Sequence, residues 1–219
     1  MGRLLSRTVL RRLYDRTGRR QDRLSFYSGP AEDVLCAHGA FEEAGSVFEL
    51  GCGTGRLAAR LLRERLPASA RYVGVDLSGK MVEVAQKRLA PFDPRATVHQ
   101  TDGRLSFDCA ADSQDCVLST YVLDLLPGPS IRAFLEEAHR LLRPSGRLCL
   151  AGLTWGTAPL PWLVSAAWSG LHALRPEWVG GCRPLNVRCT LRRSRWRLRH
   201  DEDVCAWGVP STVVVAEPR

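Results

Sequence analysis

The stretch Val47–Leu57 reads VFELGCGTGRL, with Gly51, Gly53 and Gly55 at every second position after a short apolar run. Glycine adds no side chain to a core and loses more backbone entropy on folding than any other residue. Three so close together need a local reason, and their flanks restrict it. Before them, SVFEL (46–50) reads as a strand. After them, Gly55 to Leu66 reads as a helix stopped by Pro67. The alternation then repeats: RYVGVD (71–76) is a strand, Ser78 to Leu89 a helix stopped by Pro91, and ATVHQ (96–100) a strand. QDCVLSTY (114–121) is another strand. A helix from about Pro129 to Leu142 follows, with Ile131, Phe134, Leu135, Ala138, Leu141 and Leu142 on a 3.6-residue period. RPSG (143–146) reads as a turn and RLCLAGL (147–153) as the next strand. Strands that are apolar throughout and separated by helices predict a parallel sheet covered on both faces. The last residues predict two antiparallel strands around a turn at Gly208-Val209-Pro210, a closing hairpin at the sheet edge.

The glycines therefore lie between the first strand and first helix of an open sheet, where ligands bind beyond the strands' carboxyl ends. Glycine lets the chain turn sharply and a ligand approach the backbone. The helix start adds free N–H groups and a partial positive charge. The spacing is GxGxG; the dinucleotide fingerprint GxGxxG and the Lys-Ser/Thr pair of a P-loop are both missing. Glu49, two residues before the first glycine, would repel a pyrophosphate and suits a cationic ligand.

ELGCGTG resembles the first motif of class I S-adenosylmethionine-dependent methyltransferases, and further matches follow in the family's order. Asp76 in GVDLS stands where the family places the acid that grips the ribose hydroxyls. DLSGKM resembles D-x-S-x-x-M, whose methionine, here Met81, packs on the adenine. Asp102 in TDGRLSF resembles the acid that receives the adenine amino group. DCVLSTYVLDLLP resembles the fourth-strand motif and AHRLLRPSGRLCL the helix-turn-strand after it. The resemblance covers about residues 45 to 155 and is closest to the branch that methylates quinones, lipids and other small molecules. It implies S-adenosyl-L-methionine as cofactor, held by Glu49, Gly51, Cys52, Gly53, Gly55, Asp76, Leu77, Met81, Asp102, Gly103 and Ser119. It also implies an α/β fold, a Rossmann-like doubly wound, mostly parallel seven-stranded sheet with a C-terminal antiparallel hairpin and an inserted lid. On that reading residues 1–45 form an N-terminal helical cap and 46–219 the methyltransferase domain, with the lid at about 153–194.

Methyl transfer needs orientation, and an acceptor with an acidic proton also needs a base. Tyr121 and Asp124 follow the fourth strand and His172 lies in the lid, so these are the base candidates; the branch often has histidine where Asp124 stands. All six tryptophans follow the cofactor half: Trp155, Trp162, Trp168, Trp178, Trp196 and Trp207. No Asp, Glu, Lys or Arg occurs from Leu148 to Leu174, and PLPWLVSAAWSGLHAL is apolar nearly all round. That predicts a buried helix or a greasy lid lining a pocket for a lipophilic or aromatic acceptor.

The net charge is +8, carried almost wholly by arginine. Arginines cluster at Arg3, Arg7, Arg11, Arg12, Arg16, Arg19 and Arg20, and again at Arg188, Arg192, Arg193, Arg195, Arg197 and Arg199. With Leu4, Leu5, Val9, Leu10 and Leu13 opposite, the first helix is basic and amphipathic. It suits peripheral contact with an anionic membrane. The charge also admits RNA as a methyl acceptor, but the N/D-P-P-Y/F motif of base-methylating enzymes and a separate RNA-binding module are missing, so no nucleic acid is expected. A cofactor-binding protein without catalysis is the third reading. The eight cysteines form no CxxC pair and match no common zinc spacing, so no metal is expected. Free thiols inside apolar runs, with no secretory leader, predict a cytoplasmic location beside the membrane.

Overall fold

Seven strands form one sheet in the order β3-β2-β1-β4-β5-β7-β6. The computed structural model describes residues 4–24, 26–192 and 195–219; Arg3 and Arg193 lie outside the described residues. The chain begins with three helices, α1 (Arg7–Thr17), α2 (Gln21–Leu24) and α3 (Gly29–His38). Strand–helix alternation then runs β1 (Ser46–Leu50), α4 (Arg56–Glu64), β2 (Arg71–Asp76), α5 (Gly79–Leu89), β3 (Ala96–Gln100), β4 (Gln114–Thr120), α6 (Gly128–Leu141) and β5 (Leu142–Leu153). Two further helices, α7 (Pro159–Leu174) and α8 (Val187–Arg192), precede the hairpin β6 (Trp196–Ala206) and β7 (Val209–Pro218). Strands β1 to β5 pair in parallel, and β7 runs antiparallel to both β5 and β6.

Local sequence explains the helix ends. Ser6 caps α1 by accepting from the Val9 N–H, and Gly18, at φ +48°, ends it. The Ser78 hydroxyl caps α5 by accepting from the Met81 N–H at 3.1 Å. One sheet face is covered by α3, α4 and α5 through residues such as Leu35, Leu61 and Ala85. The other is covered by α6 and α8 through Ile131, Phe134, Leu141 and Leu191. Ile131, Phe134, Leu135, Ala138 and Leu141, marked by the 3.6-residue period, are buried in α6 together with Glu137, while Leu142 opens β5.

Two boundaries differ from expectation. RPSG is not a turn before a strand. β5 already starts at Leu142, and the β4–β5 register jumps from Gln114↔Leu142 to Cys116↔Arg147, so these residues form an irregularity within the strand. The hairpin turns at Trp207-Gly208, because Ala206 pairs with Val209. Both turn residues have positive φ, +56° and +80°, the requirement of a tight two-residue hairpin. Pro210 is thus a strand residue, and the turn-forming pair with Pro removed from it is Trp-Gly.

Candidate active site

Strand order reverses between β1 and β4, and a cavity of about 210 Å³ opens there, beyond the carboxyl ends of β1, β2 and β4. The glycine loop forms its floor. Gly51, Gly53 and Gly55 all have positive φ, +77°, +53° and +71°, so the loop needs a conformation that other residues rarely adopt. Their roles differ. A side chain on Gly55 would press within 3.1 Å of Ala85, so this glycine lets α4 start close against α5, and it does not line the cavity. A Cβ on Gly53 would meet nothing within 4 Å; Gly53 lines the cavity, so its missing side chain leaves ligand space.

Asp76 ends β2 and reaches the same floor. Its two oxygens accept the Gly53 N–H at 2.9 Å and the Ser78 N–H at 2.8 Å. Burial raises its pKa, and these N–H groups oppose the rise. A carboxylate offers about four acceptor positions, so two remain for a diol. Glu49 is 1% exposed and accepts the Tyr72 hydroxyl proton at 2.5 Å. Burial pushes its carboxyl up to about 8, against the pull of that hydrogen bond. Leu77 and Met81 form an apolar wall, with Met81 wholly buried. Cys52 and Gly103 also line the space. The donor set therefore fits S-adenosylmethionine: a carboxylate for a ribose diol, an apolar slot for a purine, and a buried acid suited to a cation.

Asp102 and Ser119 are not brought to the cavity. Asp102 lies in an exposed loop, accepts the Arg104 N–H at 2.8 Å and pairs with the Arg104 guanidinium; its neighbour Gly103 reaches the cavity instead. The Ser119 hydroxyl donates to the Leu50 carbonyl at 3.1 Å and ties β4 to β1.

The base candidates separate in the same way. Tyr121, at φ +56°, lines the cavity; its hydroxyl donates to Ser211 Oγ at 2.9 Å, and burial raises its pKa. Asp124 is buried away from the cavity, accepting the Leu153 N–H at 2.8 Å and packed against Gly152. Burial lifts its pKa to about 7. His172 is buried in α7, also outside the cavity, and burial lowers its pKa. Of the three, only Tyr121 can touch a ligand there.

The lid expectation is corrected in its detail. Among the described residues of the segment after β5, Cys182 alone lines the cavity. Trp168 stands one layer back, edge-on to Tyr27 with ring centroids 5.8 Å apart, and donates to the Cys182 carbonyl. Trp155, Trp162 and Trp178 face outward, and α7 buries only Ser165 and His172. Trp196 is a core residue beside His139, and Trp207 is the hairpin tip.

The roof comes instead from the N-terminal helices. Tyr14, Tyr27, Glu32 and Asp22 line the cavity. Asp22 accepts from Thr54 Oγ1 at 2.5 Å and pairs with Arg88 at 2.7 Å. Burial alone would raise its pKa, but hydrogen bonds from Arg88 and Thr54 prevail and hold it low. Arg56, first in α4, donates to Glu32 at 2.6 Å and to Ser28 at 2.9 Å. Asp15 accepts the Ser78 hydroxyl proton at 2.6 Å. A signal for these contacts was present: Asp15 and Asp22 are the only acids in the first 31 residues, among many arginines.

Among the described residues, His38, His200 and Glu202 bring ligand atoms within 4.8 Å of one another. Their geometry does not suit an ion. The two imidazoles stack at 3.7 Å and 7°, so their lone pairs lie in two parallel planes that one metal cannot share.

Residues 47–146 match the family model described as a methyltransferase domain. Malonyl-[acyl-carrier protein] O-methyltransferase of Hahella chejuensis is 37% identical over 129 residues, 59% of this chain and 43% of that protein. Demethylmenaquinone methyltransferase of Tropheryma whipplei is 28% identical over 64% of this chain and 56% of that one. tRNA N(3)-methylcytidine methyltransferase Mettl2 of Drosophila melanogaster is 28% identical over 56% of this chain and 39% of that one. The chain thus spans about half the length of the curated relatives it matches. Among solved structures, the [4+2]-cyclase SpnF superposes with a TM-score of 0.72 at 14% identity, covering 99% of this chain and 98% of that one, a likeness of fold. Residues 47–146, which hold the glycine loop, Asp76 and strands β1 to β4, thus carry a methyltransferase domain of the S-adenosylmethionine-dependent, class I type.

Proposed function

We propose that this chain moves the methyl group of S-adenosylmethionine to a lipophilic or aromatic small molecule. The observation that carries the reading is a cavity lined both by Asp76 and Met81 and by the edge-to-face pair Tyr27–Tyr121, 5.4 Å between centroids. The cofactor, when bound, supplies a methyl group already activated on a sulfonium. The remaining work is placement, which accounts for about 7–11 kcal/mol in well-oriented reactions. Asp76 fixes the loop through Gly53 and holds the ribose side; Leu77 and Met81 receive the purine. Cys52, Gly51 and Gly103 complete this floor, and Asp102, Ser119 and Gly55 support it from outside. Tyr121 keeps its proton, since burial raises its pKa, so it orients an acceptor and is not the base. Asp124 and His172 serve the fold. An acceptor that ionises by itself, such as a phenol or a carboxylic acid, then needs no protein base. The N-terminal helical segment, residues 1–45, acts as the cap over the site through its described helices α1 to α3. The acceptor reading also places the protein beside an anionic bilayer, with the basic α1 on the membrane side.

Two observations favour a second reading, methyl transfer to RNA: the tRNA-modifying relative and the net charge of +8. A third, cofactor binding without transfer, draws on the cyclase that shares the fold. One experiment separates them. Incubate the protein with methyl-tritiated S-adenosylmethionine, a lipid extract and total tRNA, and follow the label. Label in the organic phase supports the proposal, and label in tRNA replaces it with the second reading. Calorimetric cofactor binding with no label in either fraction leaves the third.

A further inference from the structure

Helix α7 exposes an apolar face that the fold leaves uncovered. Leu160, Trp162, Leu163, Leu171 and Leu174 are all exposed, Leu174 at 76%, and the helix has no charged side chain. Neighbouring aromatics widen the face. Trp155 precedes the helix, where Gly156 packs tightly on Pro161. Trp178 follows it, with the Arg175 guanidinium 5.4 Å from its ring centre. The hairpin turn leans on the helix, since a Cβ on Gly208 would lie 3.2 Å from Val164, and its Trp207 is 83% exposed.

Positive charge borders this face at the exposed Arg175, which follows the last residue of α7. Tyr14 of α1 donates to the Gly180 carbonyl at 3.2 Å, and Leu10 of α1 packs against Gly181, so α1 packs on the Gly180-Gly181 turn six residues beyond α7. On α1 and just after it, Arg11, Arg12, Arg16, Arg19 and Arg20 are exposed and form no ion pair among the described residues. The same turn leads to Cys182 at the cavity wall.

We infer that α7 and the Trp207 hairpin tip form a docking surface for an anionic lipid bilayer, with the α1 arginines meeting the headgroups. The inference extends the membrane side assigned to α1 above and does not depend on which acceptor is methylated. Three features favour a bilayer over a protein partner. The face is the exposed side of a single helix flanked by tryptophans. It carries leucine and tryptophan without hydrogen-bonding partners for a polar rim. Arg175 borders it, and α1, which packs on the turn after it, carries exposed arginines; this charge complements anionic lipid and not a second copy of this basic chain. No helix among the described residues is long and apolar enough to cross a membrane, so α7 would lie in the interface plane.

The test is co-sedimentation with vesicles of phosphatidylcholine, with and without an equal share of phosphatidylglycerol. The expected result is binding to the mixed vesicles, weakened by salt, and a blue shift of tryptophan emission. Leu163→Glu/Leu171→Glu should lower vesicle affinity at least ~10-fold while cofactor affinity and melting temperature stay near wild type. Trp207→Glu, at an exposed turn, provides a second variant that does not threaten the fold and should weaken binding in the same direction. Arg11→Gln/Arg12→Gln should remove much of the preference for phosphatidylglycerol. Failure of the wild-type protein to sediment with either vesicle overturns the inference. So does a dimer, detected by light scattering, that the Leu163/Leu171 variant converts to monomer. Vesicle binding without methyl transfer overturns the acceptor reading and leaves the surface standing; transfer without vesicle binding does the reverse.

Discussion

Asp76 and Asp102 look equivalent in the sequence, each an acid soon after a strand, and the structure separates them. Asp76 is fixed by two backbone N–H groups inside the cavity, while Asp102 is 63% exposed at its side chain and bound to Arg104. Asp76→Ala is therefore expected to weaken S-adenosylmethionine binding by at least ~1.5 kcal/mol, the scale of one hydrogen bond to a charged group. Asp102→Ala is expected to cost clearly less. Calorimetry on both variants decides it, and equal losses would return Asp102 to the site. Gly53 supplies a second residue-scale expectation. Valine there would project into open cavity space and suffer the left-handed backbone, which costs about 1–2 kcal/mol. Gly53→Val should remain folded by circular dichroism yet fail to bind cofactor. Normal binding would reduce the loop to a structural turn.

At the scale of elements, the cofactor half was legible because its signals are local. Strand β1, the glycines and Asp76 lie within 31 residues, and each strand–helix step carries its own cap or proline. What was not legible depends on contacts far apart in sequence. Asp22 meets Thr54 and Arg88, and Tyr14 meets Gly180, so the basic first helices became the roof of the site. Nothing in an apolar helix pattern says which side faces protein, so α7 read as a pocket lining although most of it faces outward. The position of Asp124 relative to Gly152 is a register property of β5, equally hidden. The corrected element predicts a split between two tryptophans. Trp168→Ala removes the ring behind Tyr27 and the bond to the Cys182 carbonyl, so it should lower the melting temperature and methyl transfer together; large aromatic deletions cost about 3–5 kcal/mol when fully buried, and this half-buried ring less. Trp162→Ala should change neither. Loss of transfer in Trp162→Ala alone would restore the lid as a pocket wall.

For the whole molecule, pH dependence follows from acids held in opposite states. Burial raises Glu49 to about 8 and Asp124 to about 7, above ordinary carboxylate values. A raised folded pKa gives stability that is full below the unfolded value, near 4, and is lost as pH climbs through the folded value. Asp22, Asp115 and Glu137 are held low by arginine partners, so their contribution is present above about pH 4 and fades in acid. The two sets together place maximal stability in mild acid, with a decline toward about pH 8. Asp124→Asn keeps an oxygen for the Leu153 N–H and removes one ionisation. Relative to wild type, the variant should gain at least ~1 kcal/mol of stability between about pH 5 and pH 8, measured by urea unfolding. A difference that stays flat across that range would mean that Asp124 does not titrate there. Glu49 adds a linkage to ligand, because it lines the cavity in which a sulfonium cation would sit. Its carboxylate form should favour the cofactor, so wild-type affinity should rise as pH passes from about 6 to about 9, and Glu49→Gln, which can still accept from Tyr72, should abolish that slope. Calorimetric titrations at several pH values measure both. An unchanged slope in Glu49→Gln would assign the dependence to another group and remove Glu49 from the cation's surroundings.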